Sequence, residues 1–171
     1  VAGGTESMSQ APHVIHGARW GIPLAQGRLE DSLWATLTDT YCDLSMALTA
    51  ENLAVRYGIA REAADEFAYQ SQLRTKAAQE SGRLREETVP VKIKGNKELG
   101  KDEHPRPETT MEGLAALKPV FKKDGIVTAG NASGISDGAA AVVLTTEENA
   151  RGRGLRPLGR ILSWGIAGCE P

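Results

Sequence analysis

The side chains able to catalyse or to bind a metal are few: Cys42 and Cys169, and the pair His13 and His16. A cysteine attacks as its thiolate, which needs a nearby base or a positive or helix-N-terminal environment; Tyr41 and Asp43, beside Cys42, supply neither. Cys169 lies close to the last residue, with nothing downstream to complete a site. Both are expected to be buried, inert thiols, and their spacing excludes a zinc module or a disulfide scaffold. The H-x-x-H pair sits in a Gly- and Pro-rich stretch without an acidic or Cys ligand at helical spacing, so His13 is expected to be a polar loop residue and no metal is expected. No complete catalytic set is visible.

The remaining short motifs are weak. Gly152-Arg-Gly154 with Gly159 has the wrong spacing for a dinucleotide fingerprint, and no phosphate-loop pattern occurs. Asn131-Ala132-Ser133 fits a glycosylation sequon, but its glycine-rich setting suggests another reason for these residues. With 20 Lys and Arg against 22 Asp and Glu, scattered along the chain, there is no basic footprint for nucleic acid. No run approaches the ~20 apolar residues of a membrane-spanning helix. Aromatics at 5% and 19 glycines imply a core of small aliphatic side chains and tight turns. A length of 171 residues allows one domain, at most two.

The elements that must position these residues follow from periodicity. Val1 to Gly27 is broken by glycines and prolines and reads as loop or strand ends. Leu29, Leu33, Trp34 and Leu37 recur at helical spacing. A short helix is expected from a Thr49 cap to a left-handed stop at Gly58, with Leu53 and Val55 inward. Arg61 to Ser81 is the clearest helix, with Ala64, Phe67, Ala68, Ser71 and Ala78 along one stripe and Gly82 as its stop. Val89, Val91 and Ile93 alternate as a half-exposed strand, and the polar run Lys94 to Glu103 reads as a hairpin tip or solvated loop. Thr109 with Glu112 forms a capping box for a short helix ended by Pro119. Ala139 to Leu144 has the length of a buried strand, followed by a capped helix near Thr146 to Arg151 and a strand-like stretch Leu158 to Ile166.

Two long segments then stand out: Gly3-Gly-Thr-Glu-Ser-Met-Ser-Gln-Ala-Pro-His13 and Thr128-Ala-Gly-Asn-Ala-Ser-Gly-Ile-Ser-Asp-Gly-Ala-Ala-Ala141. Both resemble segments of the thiolase family. Between them, Glu30 to Trp34, Met46 to Ala54, Asp102 to Pro107 and Pro119 to Gly125 resemble its mitochondrial branch, so the likeness runs through the whole chain. It implies an α/β fold of two similar layered halves, held here in part: 1–28 as the end of the N-terminal half, 29–123 as an inserted loop domain covering CoA, and 124–171 as the start of the C-terminal half. The family reaction is cleavage of a 3-ketoacyl-CoA by CoA, or condensation of acetyl-CoA in reverse, as in fatty-acid β-oxidation. It proceeds through an acyl-enzyme on a cysteine, with a His and a second Cys moving protons.

By resemblance, the nucleophile lies upstream of this sequence and the other two groups lie downstream. Cys42 and Cys169 match neither cysteine motif, so no catalytic residue is expected here, and the chain reads as an internal fragment carrying the binding portion. Arg106 matches an Arg near the CoA nucleotide, where a planar guanidinium suits phosphate or a stacked adenine, and Pro105 and Pro107 would stiffen its loop. Thr109 matches a polar CoA contact, a role that competes with capping. Ser133 matches the contact to the pantetheine arm, with the small residues Gly130, Ala132 and Gly134 allowing close backbone approach. Met46 and Phe121 match tunnel-lining positions, although a plain core role suits their types equally. At Ser45 many bacterial biosynthetic members carry His and the mitochondrial relative Pro.

CoA and 3-ketoacyl-CoA are therefore expected as substrates, with no separate cofactor, together with the rest of the polypeptide and a homo-oligomeric parent. An intracellular, soluble location is expected, in the mitochondrial matrix if the source is eukaryotic. The sequence leaves two other readings open: a short, non-catalytic protein that binds CoA or a thiolase, and a different condensing enzyme of the same fold. Strands cut from their sheets would expose apolar faces and unpaired edges, so the isolated chain is expected to be of low stability.

Overall fold

The computed structural model describes residues 1–169; the last two residues of the 124–171 segment lie outside them. Helices and strands are mixed, and the strands form four two-stranded antiparallel pairs. The chain gathers into two compact units, one of Val1–Thr36 with the chain from Ile135 onward, the other Leu37–Gly134.

In the first unit, β1 (Ala2–Ser7) pairs with β8 (Asp137–Val142), in the register Ala2 to Val142 and Ser7 to Asp137. The strand expected at Ala139 begins two residues earlier, and all six of its residues are exposed rather than buried. Its small apolar side chains are open to solvent. Ser9 ties down the end of the ribbon: its N–H and its hydroxyl donate to the Asp137 carboxylate at 2.9 and 2.5 Å. These two bonds, the hydroxyl's foremost, hold the Asp137 carboxyl below the usual carboxylate range.

A second pair joins β2 (His13–Ile15) to β3 (Leu29–Asp31), so His13 is a strand residue rather than a loop residue. His16 lies 2.6 Å from the Glu30 carboxylate. The helical spacing read across Leu29 to Leu37 resolves into β3 and a short α1 (Ser32–Thr36). Asp31 starts that helix by accepting from the Leu33 and Trp34 amides. After β8, α5 (Glu147–Gly152) forms where expected: Thr146 accepts from the Asn149 amide, and Ala150 is buried. The stretch expected as a strand at Leu158 to Ile166 forms none, because no neighbouring strand pairs with it, and its large apolar side chains are exposed. Cys169 is exposed rather than buried, while Cys42, in the other unit, is half-buried.

The second unit opens with a tight hairpin, β4 (Thr38–Asp39) and β5 (Leu44–Ser45). Its helix α2 runs Met46–Tyr57, capped by Ser45, whose hydroxyl accepts from the Leu48 amide, and stopped by left-handed Gly58. Thr49 is therefore inside the helix and not its cap. Leu53 and Val55 are exposed, and the inward positions belong to Ala54 and, unexpectedly, Glu51. The long helix α3 (Arg61–Glu80) ends at left-handed Gly82 as expected. Its inner face follows the apolar stripe only in part: Ala64, Ala68 and Ala78 are half-buried, but Ser71 is exposed, Phe67 is 77% exposed, and the most buried residue is Asp65 at 2%.

Next, β6 (Val91–Ile93) and β7 (Lys97–Leu99) form a hairpin, so the polar run from Lys94 contains a returning strand. Gly95 and Asn96 supply the left-handed backbone at its tip. The last helix of this unit, α4 (Met111–Ala115), is capped by Thr110, which accepts from the Gly113 amide, and not by Thr109 one residue earlier. The buried apolar side chains of this unit are Ala54, Leu114 and Val127.

Candidate functional site

The segment from Gly125 to Gly134 has neither helix nor strand, so its amides must find partners elsewhere. One buried carboxylate takes two of these amides directly, and a second holds the side chain that takes another. Glu51 of α2, 2% exposed, accepts from the Ile126 and Val127 amides at 3.0 and 2.8 Å. A side chain at Gly125 would collide with that carboxylate, which explains the glycine. Asp65 of α3 accepts from Arg61 Nε at 2.7 Å and from Asn131 Nδ2 at 2.9 Å. Asn131 also donates to the Ile126 carbonyl and accepts from the Thr128 amide, both at 2.8 Å, so its one amide group closes the turn on itself. Thr128 is fully buried, its carbonyl accepting from Ala132.

Arg61 completes the arrangement through Nη2, which donates to the carbonyls of Leu114 and Leu117 at 2.7 and 2.9 Å. The Leu114 carbonyl also accepts from the Leu117 amide at 3.1 Å, so Arg61 adds a second donor there and supplies one to the Leu117 carbonyl beyond the helix end. Gly130 sits where an added Cβ would meet Leu114 and Leu117 at 2.5 and 2.6 Å, so the turn packs directly on α4. Among the described residues, no buried side-chain polar atom lacks a partner. A buried charge is costly unless paired, and here each one is used to shape a loop.

At the outer end of this shaped turn, Ser133 is exposed and Ala132 half-buried. Gly134 lies against the His104 ring, in the space a side chain would occupy. His104 is two residues from Arg106, so the Ser133 turn and the Arg106 loop meet. Arg106 is exposed; its amide donates to Gln72 of α3 at 2.8 Å, and its carbonyl accepts from the Thr109 hydroxyl at 2.7 Å. Thr109 thus fixes the Arg106 loop and leaves the capping to Thr110. Beside these loops a shallow groove of about 260 Å³ is lined by Ser71, Gln72, Thr75, Asp102, His104 and Pro105.

Met46 is 65% exposed at the first position of α2, and Phe121 is 38% exposed beyond α4, so neither plays the plain core role their types allow. Sequence reasoning missed Glu51, Arg61, Asp65, Gln72, His104 and the structural part of Asn131. The available signal was spacing: Arg61, Asp65 and Gln72 fall on one helical face, but a polar face is not what a search for buried residues selects.

Similarity to known proteins identifies the family. The family model described as thiolase, N-terminal domain, matches residues 1–148. The mitochondrial 3-ketoacyl-CoA thiolase of Homo sapiens is 50% identical over 175 aligned residues, covering 100% of this chain and 44% of that protein. The crystal structure of human mitochondrial 3-ketoacyl-CoA thiolase superposes with a TM-score of 0.91 at 50% identity, covering 98% of this chain and 43% of that one. For the structure of the human enzyme in complex with CoA, the TM-score is 0.84 at 52% identity, covering 91% and 40%. The chain spans less than half the length of the relatives it matches.

Proposed function

This chain belongs to the thiolase family, and on that premise we propose that Leu37–Gly134 carries the CoA-binding surface of a 3-ketoacyl-CoA thiolase. The observation that carries the reading is the Asn131–Gly134 turn, pinned from beneath by Asp65 and presenting Ser133 outward beside the Arg106 loop. A narrow ligand needs close backbone approach, which small residues allow, and a hydroxyl to meet its polar groups. Ser133 would serve the pantetheine arm. Arg106 would meet the nucleotide end as a planar cation, and Thr109 would hold that loop while keeping a hydroxyl oxygen free to accept. Met46 and Phe121 would contact acyl or pantetheine carbons.

In this reading the inserted segment, expected at 29–123 from the resemblance, corresponds to the compact unit Leu37–Gly134. The whole protein would cleave 3-ketoacyl-CoA with CoA, or run the condensation in reverse, as a homo-oligomer. Its place would be fatty-acid β-oxidation, in the mitochondrial matrix if the source is eukaryotic. Among the described residues no helix is long and apolar enough to cross a membrane. The nucleophilic cysteine and its two proton-moving partners would come from the rest of the polypeptide, leaving this chain inactive by itself.

Thiolysis of acetoacetyl-CoA and of a medium-chain 3-ketoacyl-CoA should be measured for the 171-residue chain, with CoA binding followed by calorimetry. No turnover is expected, and CoA binding should be lost in Ser133→Trp. Turnover by the short chain would overturn the assignment and direct attention to Cys42. Binding unaffected by Ser133→Trp would move the site elsewhere.

A further inference from the structure

The two loops assigned to the ends of CoA are tied to one helix. On α3, Asp65 accepts from Asn131 of the Ser133 turn at 2.9 Å, and Gln72 accepts from the Arg106 amide at 2.8 Å. Seven residues separate them, which is two turns: they lie on the same face, about 10 Å apart along the axis. One turn before Asp65, Arg61 holds the end of α4 through the Leu114 and Leu117 carbonyls. A single rigid rod therefore anchors the pantetheine-side turn, the nucleotide-side loop and the short helix between them.

We infer that α3 acts as a ruler for the ligand, with Asp65 and Gln72 as positioning residues that set the distance between Ser133 and Arg106. The inference rests on the CoA reading above. Neither residue is placed in contact with CoA; each acts through the loop it holds. The physical gain is preorganisation: two weak contacts to the ends of a flexible ligand add usefully only if the ligand need not choose between them. Asp65 is also fixed by Arg61 Nε at 2.7 Å, so the carboxylate cannot follow a wandering loop.

The test divides the ligand. Pantetheine and adenosine 3′,5′-bisphosphate are titrated separately into the 171-residue chain by NMR, and CoA by calorimetry. In Gln72→Ala, the bisphosphate should bind about tenfold more weakly and pantetheine as before; Asp65→Ala should reverse that pattern, and each should weaken CoA by about tenfold. Gln72→Glu keeps an acceptor for the Arg106 amide and should restore bisphosphate binding. A purely structural role would shift both half-ligands together, and that result, or unchanged CoA affinity in Gln72→Ala, would overturn the ruler. Gln72→Ala decides the matter alone if Asp65→Ala does not fold. If the unmodified chain binds none of the three ligands, the CoA reading fails. The ruler is then judged by amide exchange, which should rise at Arg106 in Gln72→Ala and at Thr128 in Asp65→Ala; no rise overturns it.

Discussion

The β1–β8 ribbon and the Gly125–Gly134 turn are built from the same small residues, yet they are held in opposite ways. In the ribbon, Ala2–Ser7 and Asp137–Val142 satisfy each other's backbone in a regular ladder and keep every side chain exposed. In the turn, Glu51 of α2 accepts two backbone amides, Asn131 and Thr128 accept most of the others, and Asp65 of α3 holds Asn131 in place; Glu51 and Asp65 are both 2% exposed. A ladder needs only a second strand and can be made from almost any sequence. A turn shaped by buried carboxylates depends on those few residues, and in return can hold Ser133 in one place. The contrast separates a regular ladder from a turn fixed by a few buried side chains within a single short chain.

The contrast is broken most severely at Glu51. Glu51→Ala strands the Ile126 and Val127 amides in a buried setting and should cost about 3 kcal/mol, read from urea unfolding of Leu37–Gly134 in the intact chain. Gly4→Ala in the ribbon is the matched control: an added Cβ there meets nothing within 4 Å, so a change within about 0.5 kcal/mol is expected. Loss of helix caps tests the two units on equal terms. Thr110→Ala in one and Thr146→Ala in the other should each cost about 1 kcal/mol, and a much larger effect at Thr110 would mean that α4 also supports the turn through its cap. The smallest effect is expected at Asp137. Its pKa is lowered by Ser9, so its contribution to the ribbon is present above the ordinary aspartate value and is lost as pH falls through its own lower one. NMR titration of the Asp137 carboxyl should show its midpoint rising toward the ordinary value in Ser9→Ala.

Local chemistry was legible in the sequence where one residue dictates a conformation. Gly58 and Gly82 end their helices in the left-handed conformation, and Thr146 caps where its spacing says it should. Where two neighbouring candidates compete, tertiary partners decide: Ser45 rather than Thr49 caps α2, and Thr110 rather than Thr109 caps α4. The inner faces of α2 and α3 were misread for one reason. Apolar periodicity assumes that hydrophobic residues face inward, whereas these helices turn Glu51 and Asp65 toward a loop far along the chain, and leave Val55 and Phe67 exposed. Ser133 and Arg106 could be singled out because they sit in recognisable segments, Thr128–Ala141 and Asp102–Pro107. The residues that hold them could not, since Gln72 and Arg106 are 34 positions apart and only the fold joins them.

The most direct test of the account is residue-resolved amide exchange on the 171-residue chain with and without CoA. CoA should slow exchange at Arg106, Thr109 and Ala132–Gly134 and leave the β1–β8 ribbon unchanged. Protection that appears on the ribbon, or that is absent from the Asn131–Gly134 turn, would contradict it.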